Sequence, residues 1–339
     1  LIDLPPGQGA IVPPRQRNLR GRMPFNQMNA DHLGMIGPVL RNYIAVQRGR
    51  KLQVLDSLTG KPLWIRDGMA PGSELFGDEE LLFVVPPDAT SAEALRALDG
   101  ESLGTRALPP TPGRLDASGR TAILWKLVDG RQILSAYDVA SQRTSWQRNF
   151  AERSAVSLIE NDEAAVLEPD GAFTVLSLAN GASGMKSAID PEKKLQQILV
   201  LRSRDQYVLI CKEPTAVTGL QQSIPVDGNL HGFDRATGRK LWTNRVERQA
   251  LDPNQPSSLP ILTFAAQILP APRNGTGVPP RFSLLCIDKR NGRVVFNEEQ
   301  ANEPLYYIDF AADVEQHQLE LKTFRSTVRL TFTDKPWPE

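Results

Sequence analysis

The chain has little of what metal and redox chemistry ordinarily uses. It carries two cysteines, Cys211 and Cys286, and three histidines, His32, His231 and His317, in 339 residues. None of these falls at a metal-ligand spacing, so a zinc site would need assembly over long range. Each cysteine sits in a strand-like run and reads as a small buried hydrophobe, with a disulfide between them as the alternative. Charge of either sign is not in excess. The 39 basic and 39 acidic residues balance to a net charge of zero, which removes the bulk electrostatic reason for a nucleic-acid or anionic-membrane partner. Long apolar runs are missing too. The longest, 261–269, is broken by Thr263 and Gln267 and is far short of the ~20 residues of a membrane helix.

Reactive motifs are equally scarce. No Gly-x-Ser-x-Gly elbow and no Asp-x-Asp-x-Asp-Gly calcium loop occurs. Gly7-x-Gly9 has neither a third glycine nor a βαβ pattern behind it. The acidic clusters Asp78-Glu79-Glu80 and Glu160, Asp162, Glu163 lie between strand signals and read as solvated turns; glycoside chemistry is the functional alternative. Asn274-Gly-Thr276 matches a glycosylation sequon and reads as a loop tip. The chain starts at Leu1 with no signal-peptide pattern, and is expected to be an excised domain or a processed product.

What is present is a repeated phrase. Leu52-Gln-Val-Leu-Asp56-Ser-Leu-Thr59-Gly60 followed by Leu63-Trp64 returns as Leu134-Ser-Ala-Tyr-Asp138 with Trp146. It returns again as Leu230-His-Gly-Phe-Asp234-Arg-Ala-Thr237-Gly238 with Leu241-Trp242, and as Leu284-Leu-Cys-Ile-Asp288-Lys-Arg-Asn291-Gly292 with Val295-Phe296. Two worn copies intervene, one ending at Leu98-Asp99 and one at Leu176-Ser177 with Asn180-Gly181. An apolar strand, an Asp that accepts from backbone N–H groups, a Gly free to take φ > 0 and a second strand together spell a β-hairpin. The aromatics recur in register and suit a seam between neighbouring sheets.

Spacings near 40 residues hold four short strands each, the signature of a β-propeller. The fold class expected is all-β: a single propeller of four-stranded blades, seven in number, with eight as the alternative. The propeller spans 32–334, after an arm over 1–31 rich in Pro and Arg and before a tail over 335–339. Stretches 213–228, 252–260 and 270–280 read as loop insertions. The seventh unit shows three strands, near 305–311, 318–322 and 328–332. A segment within 1–42 is therefore expected to close the ring, either 9–12 or the region of Val39 and Leu40.

The phrase Leu-x-x-x-Asp-x-x-Thr-Gly-x-x-x-Trp resembles the PQQ-like repeat of quinoprotein-type β-propellers, from about Pro38 to Asp334. The string Gly77-Asp78-Glu79-Glu80, with Leu82-Phe83-Val84-Val85-Pro86 and the ending Thr327-Val-Arg-Leu-Thr-Phe332, is also similar to the C-terminal propeller of large planctomycete PQQ-like repeat proteins. That resemblance implies helical repeats and a membrane anchor earlier in a parent chain, and a cell-envelope or periplasmic-type compartment. Quinoprotein dehydrogenases bring a calcium site of acids and amides, a catalytic Asp and often an adjacent-cysteine disulfide. This chain has no adjacent cysteines. Trp64, Trp146 and Trp242 belong to the seam, Trp125 to a strand and Trp337 to the tail, so no indole is spare for a cofactor floor.

No catalytic residue, cofactor-binding residue or metal ligand is assigned, and no cofactor is implied. The function expected is a non-catalytic scaffold or binding domain. It would be a monomeric domain that contacts proteins or other domains of its parent chain, without nucleic-acid binding and without membrane insertion by this segment. A PQQ-dependent or degenerate quinoprotein dehydrogenase and a carbohydrate-binding or carbohydrate-active propeller are the alternatives.

Overall fold

The computed structural model describes residues 35–333, apart from 88, 110–112, 216–222, 253–254, 269–280, 302–306 and 324–326. Among these residues there are strands, turns and no helix. The fold is all-β, built from four-stranded antiparallel blades of the β-propeller type.

The first sheet runs Met35–Val39 (β1), Tyr43–Arg48 (β2), Lys51–Asp56 (β3) and Pro62–Arg66 (β4). The second runs Glu74–Gly77 (β5), Leu81–Val85 (β6), Ser91–Arg96 (β7) and Ser102–Ala107 (β8). The third runs Arg114–Ser118 (β9), Thr121–Val128 (β10), Arg131–Asp138 (β11) and Arg143–Ala151 (β12). The fourth runs Ala155–Ile159 (β13), Glu163–Leu167 (β14), Ala172–Ser177 (β15) and Ser183–Ala188 (β16). In each, sequence neighbours are hydrogen-bonded neighbours, the up-and-down order that short turns enforce.

The next strands are Gln197–Arg202 (β17), Gln206–Lys212 (β18), Ile224–Asp234 (β19), Lys240–Leu251 (β20), Ile261–Ile268 (β21), Arg281–Asp288 (β22) and Val294–Ala301 (β23). They form one seven-stranded sheet. A last sheet has three strands, Tyr307–Asp313 (β24), Gln318–Thr323 (β25) and Thr327–Thr331 (β26). The described residues thus make six hydrogen-bonded sheets where sequence reading expects seven blades. The merger has a local cause. β20 is twelve residues long, and its last residue, Leu251, pairs with Phe264 of β21, joining two blades through one strand.

The contact pattern divides the chain into two compact units. One holds β1 to β12 with Glu160–Glu163 and Leu176–Ala182; the other holds the rest of the fourth sheet and everything from Ser183 on. Within each, sheets stack face to face. In the first unit, Leu82, Val84 and Leu95 of the second sheet pack with Tyr43, Leu52 and Val54 of the first. Phe83, Val85, Ala92 and Ala94, on its other face, pack with Ala122 and Leu124 of the third. Both faces of β6 are buried, so its sequence is an unbroken apolar run rather than an alternating one.

The second unit repeats the logic. Tyr207, Leu209 and Cys211 of β18 pack with Phe173 and Val175 of the fourth sheet. Val208 and Ile210 pack with Leu262, Phe264 and Ile287. Ile261 and Ala265 then pack with Leu319 and Leu321 of β25.

Two expectations need correction. The stretch 213–228 is not wholly a loop, because β19 begins at Ile224 and pairs from there with Leu251. Val39 belongs to β1, which pairs with β2 of its own sheet; the rival closing stretch, 9–12, lies outside the described residues. The arm 1–31, the tail 335–339 and the insertion 270–280 lie outside them as well.

Candidate functional site

The repeat residues are occupied by structure. Asp56 Oδ1 accepts from the backbone N–H and the hydroxyl of Thr59, both at 2.7 Å. Asp234 does the same with Thr237 at 2.8 and 2.7 Å. The hydroxyl contact leads in holding both carboxyls below their ordinary range. Each seam indole donates to a carbonyl of the next blade: Trp64 to Ala97 and Trp146 to Leu178, both at 2.8 Å, and Trp242 to Lys289 at 2.7 Å. Beneath each ring lies the next blade's turn glycine. A Cβ on Gly100, Gly181 or Gly292 would stand 2.7, 2.7 or 2.5 Å from the indole, and all three glycines have positive φ. Trp242 is buried; Trp64 and Trp146 are only partly so.

The second blade departs from the pattern read in sequence. Its turn is closed by Arg96 N–H to Glu101 O and Gly100 N–H to Arg96 O, so Arg96, not Asp99, stands in the place of Asp56. Asp99 takes the Thr59 place and pairs with Arg96 at 2.7 Å, with the polarity reversed. The place of Trp64 is then taken by Gly104 in the second blade and by Met185 in the fourth.

The acidic cluster Asp78-Glu79-Glu80 is a clamp and not a reactive pair. The Asp78 and Glu80 carboxylates both bind Arg120, while the carbonyls of Asp78 and Glu79 accept from Tyr43 Oη at 2.8 Å and Asn42 Nδ2 at 2.9 Å. Glu160 and Asp162 fall in the turn between β13 and β14, as expected, but Glu163 is the first residue of β14 rather than part of the turn. Asn274 and His32 lie outside the described residues. Cys211 and Cys286 are both free and buried, which removes the disulfide alternative.

One chemical convergence does appear, within the second unit. Glu192, in the loop between β16 and β17, meets Cys211 of β18 and His231 of β19, and their ligand atoms lie within 4.8 Å of one another. The register explains the meeting. Leu209 faces His231 and Ile210 faces Leu230; directly opposed and alternate residues share a face, so Cys211, Asn229 and His231 all point to one side. The pairing of β19 with β20 shifts register between Val226 and Gly228, at the point where β19 passes Cys211. Gly228 is required there, because a Cβ would stand 1.9 Å from the Cys211 carbonyl oxygen.

The three groups are held. Asn229 Nδ2 donates to both Glu192 oxygens, at 3.0 and 3.3 Å. His231 Nδ1 lies 3.0 Å from Thr243 Oγ1, and its Nε2 lies 3.4 Å from Glu192 Oε1. The His231 side chain is 6% exposed and that of Glu192 11%. Burial, then the nearby Glu192 charge, pushes the Cys211 thiol well above its ordinary range. Burial also pulls the His231 imidazole down, against the opposing pull of Glu192.

Spacing could not reveal this group, since its members come from positions 192, 211 and 231. The one available signal was positional: His231 stands where the other repeat copies have Gln53, Ser135 and Leu285.

A second missed residue is Lys289. It is buried, its Nζ donates to Ser257 O at 3.3 Å, and desolvation draws its pKa down to about 8.

No protein-family profile matches the chain. No curated protein matches it either. Among solved structures it is similar to BamB from Moraxella catarrhalis, at 14% identity over 87% of this chain and 83% of that one, with a TM-score of 0.39. It is similar to the WD40 domain of SCAP from fission yeast at 9% identity, covering 83% and 79%, with a TM-score of 0.46. Hydrazine synthase from Kuenenia stuttgartiensis is similar at 12% identity, covering 73% and 72%, with a TM-score of 0.40. The blade assignment rests on the strand pairing described above.

Proposed function

We propose that the chain is a non-catalytic propeller of the PQQ-like repeat type, a rigid platform that contacts proteins or other domains of a longer parent chain. The observation that carries this reading is the commitment of the repeat's own polar groups. The Asp carboxylates cap their turns and the indole N–H groups bridge blades, so the repeated residues supply rigidity and not reactivity. A rigid scaffold of this kind presents its loops for binding.

The seven-blade count follows if the long sheet is divided at β20 and β21, which are joined there by one residue pair. The resemblance also supports a cell-envelope compartment. Among the described residues no helix is long and apolar enough to cross a membrane.

Reconstitution with PQQ and Ca²⁺ tests the reading against the quinoprotein alternative. A scaffold leaves the cofactor spectrum unchanged and oxidises no alcohol or sugar; stoichiometric cofactor uptake with turnover overturns it. A glycan array makes the same test for carbohydrate, with saturable binding of one glycan class as the contrary result.

A further inference from the structure

We propose that Glu192, Cys211 and His231 form a binding site for one zinc-class divalent cation, with Glu192 Oε1, Cys211 Sγ and His231 Nε2 as its protein ligands. Thiolate, imidazole and carboxylate are the three donor types that zinc takes from proteins. Among the described residues this is the one group of three or more Cys, His, Asp or Glu side chains whose ligand atoms converge.

The nitrogen–oxygen distance fits coordination better than direct pairing. Metal bonds of about 2.0–2.2 Å at a tetrahedral angle set an N and an O ligand about 3.4 Å apart, and His231 Nε2 stands 3.4 Å from Glu192 Oε1. A charged hydrogen bond between the same atoms would draw in to about 2.7–2.9 Å.

The surroundings fit as well. A ligating histidine ordinarily spends its other ring nitrogen on a fixed partner, and a ligating carboxylate is itself hydrogen-bonded. Thr243 Oγ1 at Nδ1 and Asn229 Nδ2 at the Glu192 carboxylate fill those two places. Phe233, whose ring is 6.4 Å from that of His231, and Phe173 beside it form an apolar wall. In such a site a thiolate and a carboxylate neutralise a divalent charge, whereas the thiolate alone beside Glu192 would be two like charges. The sulfur and imidazole donors select against Mg²⁺ and Ca²⁺. Bound there, the cation ties the loop carrying Glu192 to β18 and β19, and three protein ligands leave a fourth position for solvent.

Co²⁺ titration of chelator-treated, reduced protein tests the assignment. One equivalent should bind with a near-ultraviolet sulfur-to-cobalt charge-transfer band and visible bands of tetrahedral strength, and Zn²⁺ should displace it. Mg²⁺ and Ca²⁺ should not. Cys211→Ala should abolish the band and Cys286→Ser should keep it. Glu192→Gln changes a loop residue at the edge of the core and spares the strands, so it serves even if the cysteine variants fail to fold; it should weaken Co²⁺ binding by more than about 10-fold. Binding should also tighten with rising pH, because the thiol must lose its proton. Absence of the band in the wild-type protein, its survival in Cys211→Ala, or unchanged affinity in Glu192→Gln overturns the site.

Discussion

Trp146 and Gly181 are 35 residues apart in sequence and act as one part. The ring lies flat on the turn, and the turn can approach only because it has no side chain at that point. Gly181→Ala should therefore cost about 2–4 kcal/mol, from the left-handed φ and the clash together. Gln142 stands at the corresponding place in the third blade, with φ of 58°. No indole covers it, because Gly104 replaces the tryptophan, and its Oε1 accepts from Ala107 N–H at 3.2 Å. Gln142→Gly should accordingly change stability by less than about 1 kcal/mol, relieved strain offsetting the lost contact. Urea denaturation of both variants gives the comparison. Trp242→Ala should cost about 3–5 kcal/mol by the same measurement, the ring being buried.

Lys289 supplies a pH-dependent case. Its pKa falls on folding from the ordinary 10.5 to about 8, so over that interval the unfolded chain holds more protons than the folded one. Its contribution to stability rises from about pH 8 to about pH 10.5 and is a net cost below pH 8. Lys289→Met should stabilise the protein at pH 7 by about 1–3 kcal/mol and flatten that rise. Denaturation curves at pH 7 and pH 10 measure both effects. A lysine beside the Asp of a repeat turn looks solvated in sequence; only the packing of residues 256–260 over it makes it a buried cation.

At the scale of elements, the turns were the most legible feature. Asp, then Thr or Asn, then Gly at fixed offsets have one low-energy use, and β3 to β4, β19 to β20 and β22 to β23 all close with the same backbone pattern. The three strands of the last sheet were likewise visible as apolar runs and appear within about two residues of the expected positions. Illegible were the features that depend on neighbours. The Arg96–Asp99 exchange preserves the turn while reversing its charges, and a template built on Asp slides three residues to find one. The fusion at Leu251 depends on strand length, which extends through Gln249 and Ala250 without any apolar alternation to announce it.

The turn carboxylates also give an acid test. Asp56 and Asp234 have pKa values below the ordinary range through their contacts with Thr59 and Thr237. Their contribution is complete above the ordinary aspartate value and is lost as pH falls through the depressed one. Amide exchange at Thr59 and Thr237 should accelerate over that window relative to amides elsewhere in the same sheets. Uniform protection through it would mean that the carboxylates do not hold these turns.

For the whole molecule, zero net charge sets the expectation. A zero net charge supplies no bulk attraction for a polyanion, so at about 0.15 M salt the protein should give no shift with duplex DNA in a mobility assay and no sedimentation with anionic vesicles. A salt-sensitive complex with either would show a basic face that the overall balance conceals. The candidate cation site belongs to this scale too. A loop residue and two strand residues form it only after the β18–β19 register and the Glu192 loop have both been set, which is why no local pattern in the chain announces it.

The interlock of indole and glycine also bears on how such a gene can be rebuilt. Seam partners belong to different repeats, but the turn residue and the aromatic of one repeat are separated by four positions, as in Gly60 and Trp64 or Gly238 and Trp242. Recombination between unlike repeats separates inherited partners wherever the crossover falls outside that short window. A hybrid that set an indole from one parent over a glutamine like Gln142 from the other would be born with a misfitting seam. At the three seams that carry an indole and its glycine, duplication or loss of a blade keeps both partners only when the breakpoint falls inside that window.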